Sequence, residues 1–350
     1  MAYDPMVTAG LMKVYATYKV AHPQHQFFKD MLFGGRLISG TDQLTVETKR
    51  AGQKVAASIA RFANPNSAEA SDSFKISTYT PPYYAERTSL TSADLRNFAF
   101  GEPLDKPWSI DQRRLAIMAE KLGNIDDKFL RTEELMCAEA LTTGKVKMHD
   151  GSYIQYDVDS DLVDITPTKD WDDVAANILG DLQLWGQNLL DKGGIIPDMM
   201  IVAPDVFTML VNDAKVQKVM DIRNYSLGDI GVKPLVGYKG VTFSGIVMAP
   251  AIGPIKVYTY ANKYVNSSGA LTPYLPAGGV ILANSINEGK MMYAATDGFN
   301  SAGEVSTVAG ERSIFYEKAD RLPAVESAVM QMAPLANPFG LDTWVYANVT

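Results

Sequence analysis

Histidine, cysteine and paired carboxylates are the side chains here that could do chemistry, and the chain is sparing with the first two: 3 His and 1 Cys among 350 residues. His22-Pro-Gln-His25 comes nearest to a metal pair, but Pro23 breaks the helix that would aim both rings at one ion. His149 and the lone Cys137 add too few ligands for a structural zinc site within one chain. Asp157, Asp159 and Asp161 open like a calcium loop, yet the sixth position is Leu162 instead of glycine and the twelfth is Thr168 instead of glutamate. A solvated strand face explains them better. Cys137 falls in a helical stretch with no histidine at helical spacing, the setting of a packed core thiol and not of a nucleophile. The adjacent pairs Glu133-Glu134 and Asp126-Asp127 diverge on a helix instead of facing a shared substrate. No glycine-rich loop leads into Lys-Ser/Thr, and neither the nucleophile elbow nor the zinc-protease helix is present. The expectation is a chain with no catalytic residue, no cofactor and no metal, and therefore not an enzyme.

Composition narrows the class further. The 32 Lys and Arg against 40 Asp and Glu leave a net charge of −8, which argues against a chain built to grip nucleic acid, although an acidic chain can enclose DNA without holding it. The 47% hydrophobic and 21% charged residues are the balance of a folded protein, so wholesale disorder is excluded. One cysteine excludes an intrachain disulfide framework. Met1 to Lys19 carry Asp4, Lys13 and several tyrosines where a signal peptide needs an unbroken apolar stretch, and Pro197, Asp198 and Pro204 cut the richest apolar run, Gly193 to Val206. A cytoplasmic, non-membrane protein is expected.

The elements that must position these residues follow a particular order. Residues 1 to about 40 mix short apolar runs with Pro23, Gly34 and Gly35 and read as an arm with one short helix. Gln43 to Lys49 and Phe74 to Tyr79 alternate as strands, and the polar stretch Asn64 to Ser73 between them is too long for a tight turn. Together they read as a long hairpin reaching away from the body, ordered by other chains. Ser109 with Gln112 forms a capping box and Gly144 supplies a stop; between them Leu115, Met118, Leu122, Ile125 and Phe129 make one apolar stripe. A continuous helix there would run roughly 54 Å at 1.5 Å per residue, a spine that needs support along its length. Tyr153 to Asp161 reads as a half-exposed strand, and Trp171 to Leu189 as a second amphipathic helix closed by Gly193-Gly194. A strand at Met199 to Ala203, a helix opened by Pro204, and strands at Val241 to Val247, Ile255 to Tyr260 and Gly279 to Leu282 make residues 170 to 310 a mixed α/β unit. The tail returns to strands at Ser313 to Lys318, Glu326 to Met332 and Thr343 to Val349.

One charge asymmetry suggests contacts between copies. The hairpin's first half carries Lys49, Arg50, Lys54 and Arg61 with only Glu47 opposing, whereas the spine carries Glu120, Asp126, Asp127, Glu133, Glu134 and Glu139. The expectation is that the four basic residues dock against spine acids of an adjacent copy, among Glu133, Glu134 and Glu139.

This order of elements resembles the tailed-phage major capsid proteins with the Hong Kong 97 fold, and closely the phage lambda major head protein family. The residues that carry it are Phe129-Leu-Arg-Thr-Glu-Glu-Leu-Met-Cys-Ala-Glu-Ala-Leu-Thr-Thr-Gly144 and Ile201-Val-Ala-Pro-Asp205. Gly237-Tyr-Lys-Gly240, Tyr274-Leu-Pro276, Val280-Ile-Leu-Ala-Asn284 and Gln331-Met-Ala-Pro-Leu335 follow in the family's order. The resemblance implies an α+β subunit with an N-terminal arm (1–41), an extended loop (42–90), a peripheral domain on the spine (91–165, completed by strands at 311–350) and an axial domain (166–310). It implies assembly with itself into hexamers and pentamers of an icosahedral virion shell, made in the host cytoplasm. A scaffolding protein, a portal and sometimes a decoration protein are the implied partners, and the shell encloses DNA and expands on maturation. The rival readings are another self-assembling particle, such as an encapsulating compartment or tail component, and an α/β enzyme with a pocket in residues 170 to 310.

Overall fold

The computed structural model describes residues 26–49, 74–97, 99, 102, 105, 107–219, 233–235, 238–286, 289–299, 305–319, 325–338 and 340–350. The chain enters through α1 (Phe27–Leu32), β1 (Gly35–Ile38), β2 (Leu44–Lys49), β3 (Phe74–Tyr79) and β4 (Tyr84–Thr91). The spine follows as α2 (Ile110–Thr143), then β5 (Lys145–Lys147), β6 (Tyr153–Gln155), α3 (Ile178–Gly193), β7 (Met199–Val202), α4 (Pro204–Asn212) and α5 (Ala214–Val219). Strands dominate the rest: β8 (Lys233–Pro234), β9 (Val241–Ala249), β10 (Gly253–Tyr260), β11 (Lys263–Val265), β12 (Leu271–Pro273), β13 (Gly279–Ala283) and β14 (Lys290–Tyr293). The last six are β15 (Thr296–Phe299), β16 (Val305–Val308), β17 (Ser313–Ala319), β18 (Val325–Met332), β19 (Pro334–Asn337) and β20 (Trp344–Asn348).

The largest sheet has 6 strands in the order β20-β13-β7-β10-β9-β8. β7 and β13 are buried at every position, and their sequences, Met-Met-Ile-Val and Gly-Val-Ile-Leu-Ala, show no alternation because both faces are covered. On α3 the buried stripe is Ile178, Leu182, Trp185 and Leu189, and Trp171 stacks on Trp185 with ring centroids 5.6 Å apart and planes 15° from parallel. β20, from the tail strands, adds to the edge of this sheet against β13, so the chain's end ties into the unit of residues 170 to 310.

The spine is one helix of 34 residues with the capping box present: Ser109 Oγ accepts from Gln112 N, and the Gln112 side chain accepts from Ser109 N. Gly144 closes it at φ 63°, the left-handed geometry a side chain would strain. Two cores support its length. Met118, Leu122, Ile125 and Phe129 pack with Leu90, Ile314, Ala328, Met330 and Met332 of the 3-stranded sheet β17-β18-β4. Met136, Cys137, Ala140 and Leu141 join the main core with α1 and the large sheet.

Several local expectations shift. The helix expected from Trp171 starts at Ile178, because Asp173 folds the preceding residues into a turn: its carboxylate accepts from Ala175 N, and its backbone carbonyl accepts from Ala176 N. Val174 is consequently fully exposed instead of facing the core. The strand expected over Tyr153 to Asp161 ends at Gln155; Tyr156 turns its hydroxyl inward to the Ala336 carbonyl, and Lys192 ties down Asp159 at 2.6 Å and Asp161 at 2.5 Å. The short helix of the expected arm lies inside the main core, with Phe27, Phe28, Leu32 and Phe33 all buried. Gly289 makes room for it, since a Cβ there would stand 2.2 Å from the Leu32 carbonyl oxygen. Among the described residues β2 and β3 pair only with each other, Leu44 opposite Tyr79 through Lys49 opposite Phe74, and Leu44 and Val46 are buried in the main core. The polar stretch expected at the hairpin's tip lies outside the described residues.

Candidate assembly surface and its buried charge clamp

The spine acids expected to face a neighbour divide sharply. Glu133 is 0% exposed and Glu134 is 2% exposed, so the expectation that these two meet basic residues of another copy is corrected: both are enclosed and fully engaged within their own chain. At this level α1, the large sheet and β14 surround the helix, and residues one step apart can both point inward. Glu133 Oε2 accepts from Lys29 Nζ at 2.8 Å and from Gln26 Nε2 at 3.1 Å. Its Oε1 accepts from the Tyr293 hydroxyl at 3.1 Å and lies 2.6 Å from Arg312 Nη1. Arg312 in turn reaches Asp126 through Nε at 3.0 Å and lies 5.5 Å from the centre of the Phe129 ring. Burial alone would raise the Glu133 carboxyl, but Arg312 and Lys29 outweigh it and hold it at about 2.

Glu134 serves a different end. Gln26 sits at the N-cap of α1 without a capping side-chain bond, and Glu134 supplies the missing acceptor from the spine. Its Oε1 accepts from Phe28 N and from the Tyr260 hydroxyl, both at 2.9 Å, and its Oε2 accepts from Lys29 N at 3.2 Å. Burial pushes this carboxyl up to about 7, against the lowering by those three donors. The two acids therefore clamp α1, the spine, β10, β14 and Arg312 into one unit. Sequence reasoning missed Gln26, Lys29, Tyr260, Tyr293 and Arg312. The one local signal was a lysine set between Phe27-Phe28 and Met31-Leu32, where a buried cation needs an acid.

Glu139 lies about 120° around the helix from Glu133, and it opens outward. It is half-buried and its Oε2 accepts from Lys147 N at a long 3.4 Å. Burial raises its carboxyl, with Lys147 a lesser, opposing influence. It lines a cleft of about 270 Å³ with Tyr83, Tyr84, Leu135, Met136 and Met148. Of the expected basic partners, Lys49 ends β2, and Arg50, Lys54 and Arg61 lie outside the described residues.

Other reactive groups are spoken for. Cys137 is buried against Met291, Sγ to Sδ 3.6 Å, and burial raises its thiol well above the usual value, which makes it inert. Among the described residues no 3 of His, Cys, Asp and Glu gather as a metal site, and no described helix is long and apolar enough to cross a membrane.

Comparison with known proteins gives this geometry its family. The chain superposes over 100% of its length on 100% of a prophage capsid protein from E. coli CFT073, with a TM-score of 0.68 at 16% identity. It also matches a capsid subunit of cyanophage A-1(L), with a TM-score of 0.53 at 11% identity over 94% of both chains, and a phage-related protein of Bordetella bronchiseptica RB50, 0.51 at 8% over 96% of both. No curated protein sequence matches it. These likenesses show the fold, the Hong Kong 97-like capsid fold. The model of the family described as phage major capsid protein E matches residues 10–349. The spine on two cores, the self-paired hairpin and the mixed central sheet are thus the parts of a shell subunit, and the chain belongs to the phage major capsid protein E family.

Proposed function

We propose that copies of this chain assemble with one another into hexamers and pentamers that close an icosahedral shell around double-stranded DNA, using the β2–β3 hairpin as the element that reaches between subunits. The observation that carries this reading is the pairing of the hairpin: among the described residues β2 and β3 form a 2-stranded ribbon with no third strand, held to the main core at its base by Leu44, Val46 and Tyr79. In this reading residues 1–41 are the arm, 42–90 the extended loop, 91–165 with 311–350 the peripheral domain, and 166–310 the axial domain. A scaffolding protein and a portal guide a precursor shell in the host cytoplasm, the shell then expands, and a decoration protein is a further partner of the outer face. The net charge of −8 supports enclosure of DNA without retention, since the shell wall repels phosphate.

Negative-stain electron microscopy of the full chain, expressed alone and with its neighbouring phage head genes, tests the reading. Closed shells, tubes or capsomer rings are expected, and a stable monodisperse monomer or dimer under both conditions would contradict it. In the same assay Lys54→Glu with Arg61→Glu is expected to leave the subunit folded and to stop particle formation. Normal particle yield from that double variant would remove the hairpin from the mechanism.

A further inference from the structure

Arg131 on the spine, Lys239 just before β9 and Lys263 at the start of β11 line one pocket of about 110 Å³. Among the described residues none of these three side chains has an ion-pair or hydrogen-bond partner. Cations that share a concave space without a counter-charge focus a positive field there, and this chain's net charge of −8 makes the cluster stand out from its surroundings. Among the lining residues the one acid is Glu134. Its oxygens are taken by Phe28 N, Lys29 N and the Tyr260 hydroxyl, and burial holds its carboxyl up at about 7, so near neutrality a large share of it is uncharged.

Local structure brings these groups together. Arg131 precedes Glu134 by three residues, which puts both on one side of the spine. The loop of Lys239 is tied beside Lys263, because Ala261 N donates to the Gly240 carbonyl at 2.7 Å and Lys263 N donates to Asn262 Oδ1 at 3.0 Å. Tyr274 closes the pocket: its N donates to the Asn262 carbonyl at 3.3 Å, and its ring packs 6.1 Å from that of Tyr260 and 5.0 Å from that of Tyr264. Tyr274 is only 5% exposed, yet among the described residues its hydroxyl has no hydrogen-bond partner. Burial is the main force that raises this hydroxyl; Glu134 adds to it and Arg131 opposes it, so the three groups share one space. The pocket therefore presents a guanidinium fork, two ammonium groups and a free hydroxyl, all able to donate.

Size limits the occupant. A volume of about 110 Å³ holds several waters, and it falls well below the roughly 300–1,000 Å³ of organic small-molecule sites. Charged donors around a space this small match the oxygens of a compact anion. We infer that this pocket binds one small tetrahedral oxyanion, inorganic phosphate or sulfate, held by Arg131, Lys239 and Lys263 with the Tyr274 hydroxyl as a further donor. Bound there, the ion joins the spine to the loop before β9 and to β11, and it stabilises the folded subunit by mass action. The site belongs to the single chain and does not depend on assembly.

Equilibrium dialysis of the full chain against labelled sulfate tests the site, at about pH 6, below the value at which Glu134 gives up its proton. Uptake should saturate near one ion per chain with a Kd on the order of 1 mM or tighter. Arg131→Gln and Lys263→Gln should each weaken binding about tenfold and Tyr274→Phe about threefold. All three should keep the parent's melting temperature in sulfate-free buffer, since the groups removed have no partner within the chain. Lys215→Gln removes an exposed lysine elsewhere and should bind as the parent does, which separates a site from the general effect of net charge. Competition separates the sources of the oxyanion: unlabelled inorganic phosphate should displace the label, and double-stranded DNA at the same phosphate concentration should not. Displacement by DNA and not by phosphate would overturn the free ion as ligand. Uptake that never saturates, or that is equal in Arg131→Gln, Lys263→Gln and the parent, would overturn the site.

Discussion

Glu133 and Glu139 sit on one helix about 9 Å apart along its axis, yet one is sealed in the core and the other waits at a surface. Glu133 is 0% exposed and has four donors around it; Glu139 has one distant backbone donor and an open cleft. An acid's role on a long helix is set by what the rest of the chain folds over it. Where α1 and β14 cover the spine, acids hold the subunit together. Where the cover stops, an acid lines an open cleft.

The largest effect should come from opening the inner side. Arg312→Ala removes the guanidinium from both Glu133 and Asp126 and leaves buried carboxylate behind, so a loss of about 3–5 kcal/mol is expected in chemical denaturation. A loss under 1 kcal/mol, of the kind surface pairs show, would erase the contrast between the two sides.

The inner pair should also split in its response to pH. Glu133 is held near 2, below the ordinary 4.5, so its stabilisation is present above pH 4.5 and is lost as pH falls toward 2. Glu134 is raised to about 7, so its contribution is fully present below pH 4.5 and declines as pH rises through 7. Denaturation midpoints between pH 5 and 8 should therefore slope downward in the parent protein, and Glu134→Gln should flatten that slope at a cost of about 1 kcal/mol for the weakened cap of α1. An unchanged slope in the variant would place the titration elsewhere.

Two smaller effects sharpen the outer side. Lys128 and Glu86 form a 2.6 Å pair with side chains 57% and 40% exposed, and Lys128→Ala should change stability by no more than about 1 kcal/mol, less still at high salt. Glu139→Gln should change the stability of the isolated subunit by about 0.5 kcal/mol or less, since its carboxylate has one long hydrogen bond and lines an open cleft. A large stability loss in that variant would make Glu139 a second Glu133.

Much of the frame could be read from residues in sequence. Ser109, Gln112 and Gly144 fix the spine's ends because capping is local chemistry, and the stripe from Met118 to Phe129 does lie on a core. Phe74 to Tyr79 is a strand with the expected bounds. The turn at Asp173 was harder to read: the helical spacing of Trp171 and Val174 continues through it, and only the carboxylate's bond to Ala175 N breaks the helix. The site was less legible still. Arg312 lies 179 residues from Glu133, and nothing local to either announces the other. A helix surrounded on most sides hides its acids from a reading that assumes one buried stripe, which is why Glu133 and Glu134 were expected outside. Glu139 lines an open cleft on its flank of the spine.

High-resolution cryo-electron microscopy of the assembled particle would locate the hairpin and the spine acids in the shell. A closed shell is expected in which the β2–β3 hairpin of one subunit is buried against the next while Glu133 and Glu134 stay enclosed in their own subunit. A hairpin that touches no neighbouring subunit, or particles that never close, would contradict that expectation.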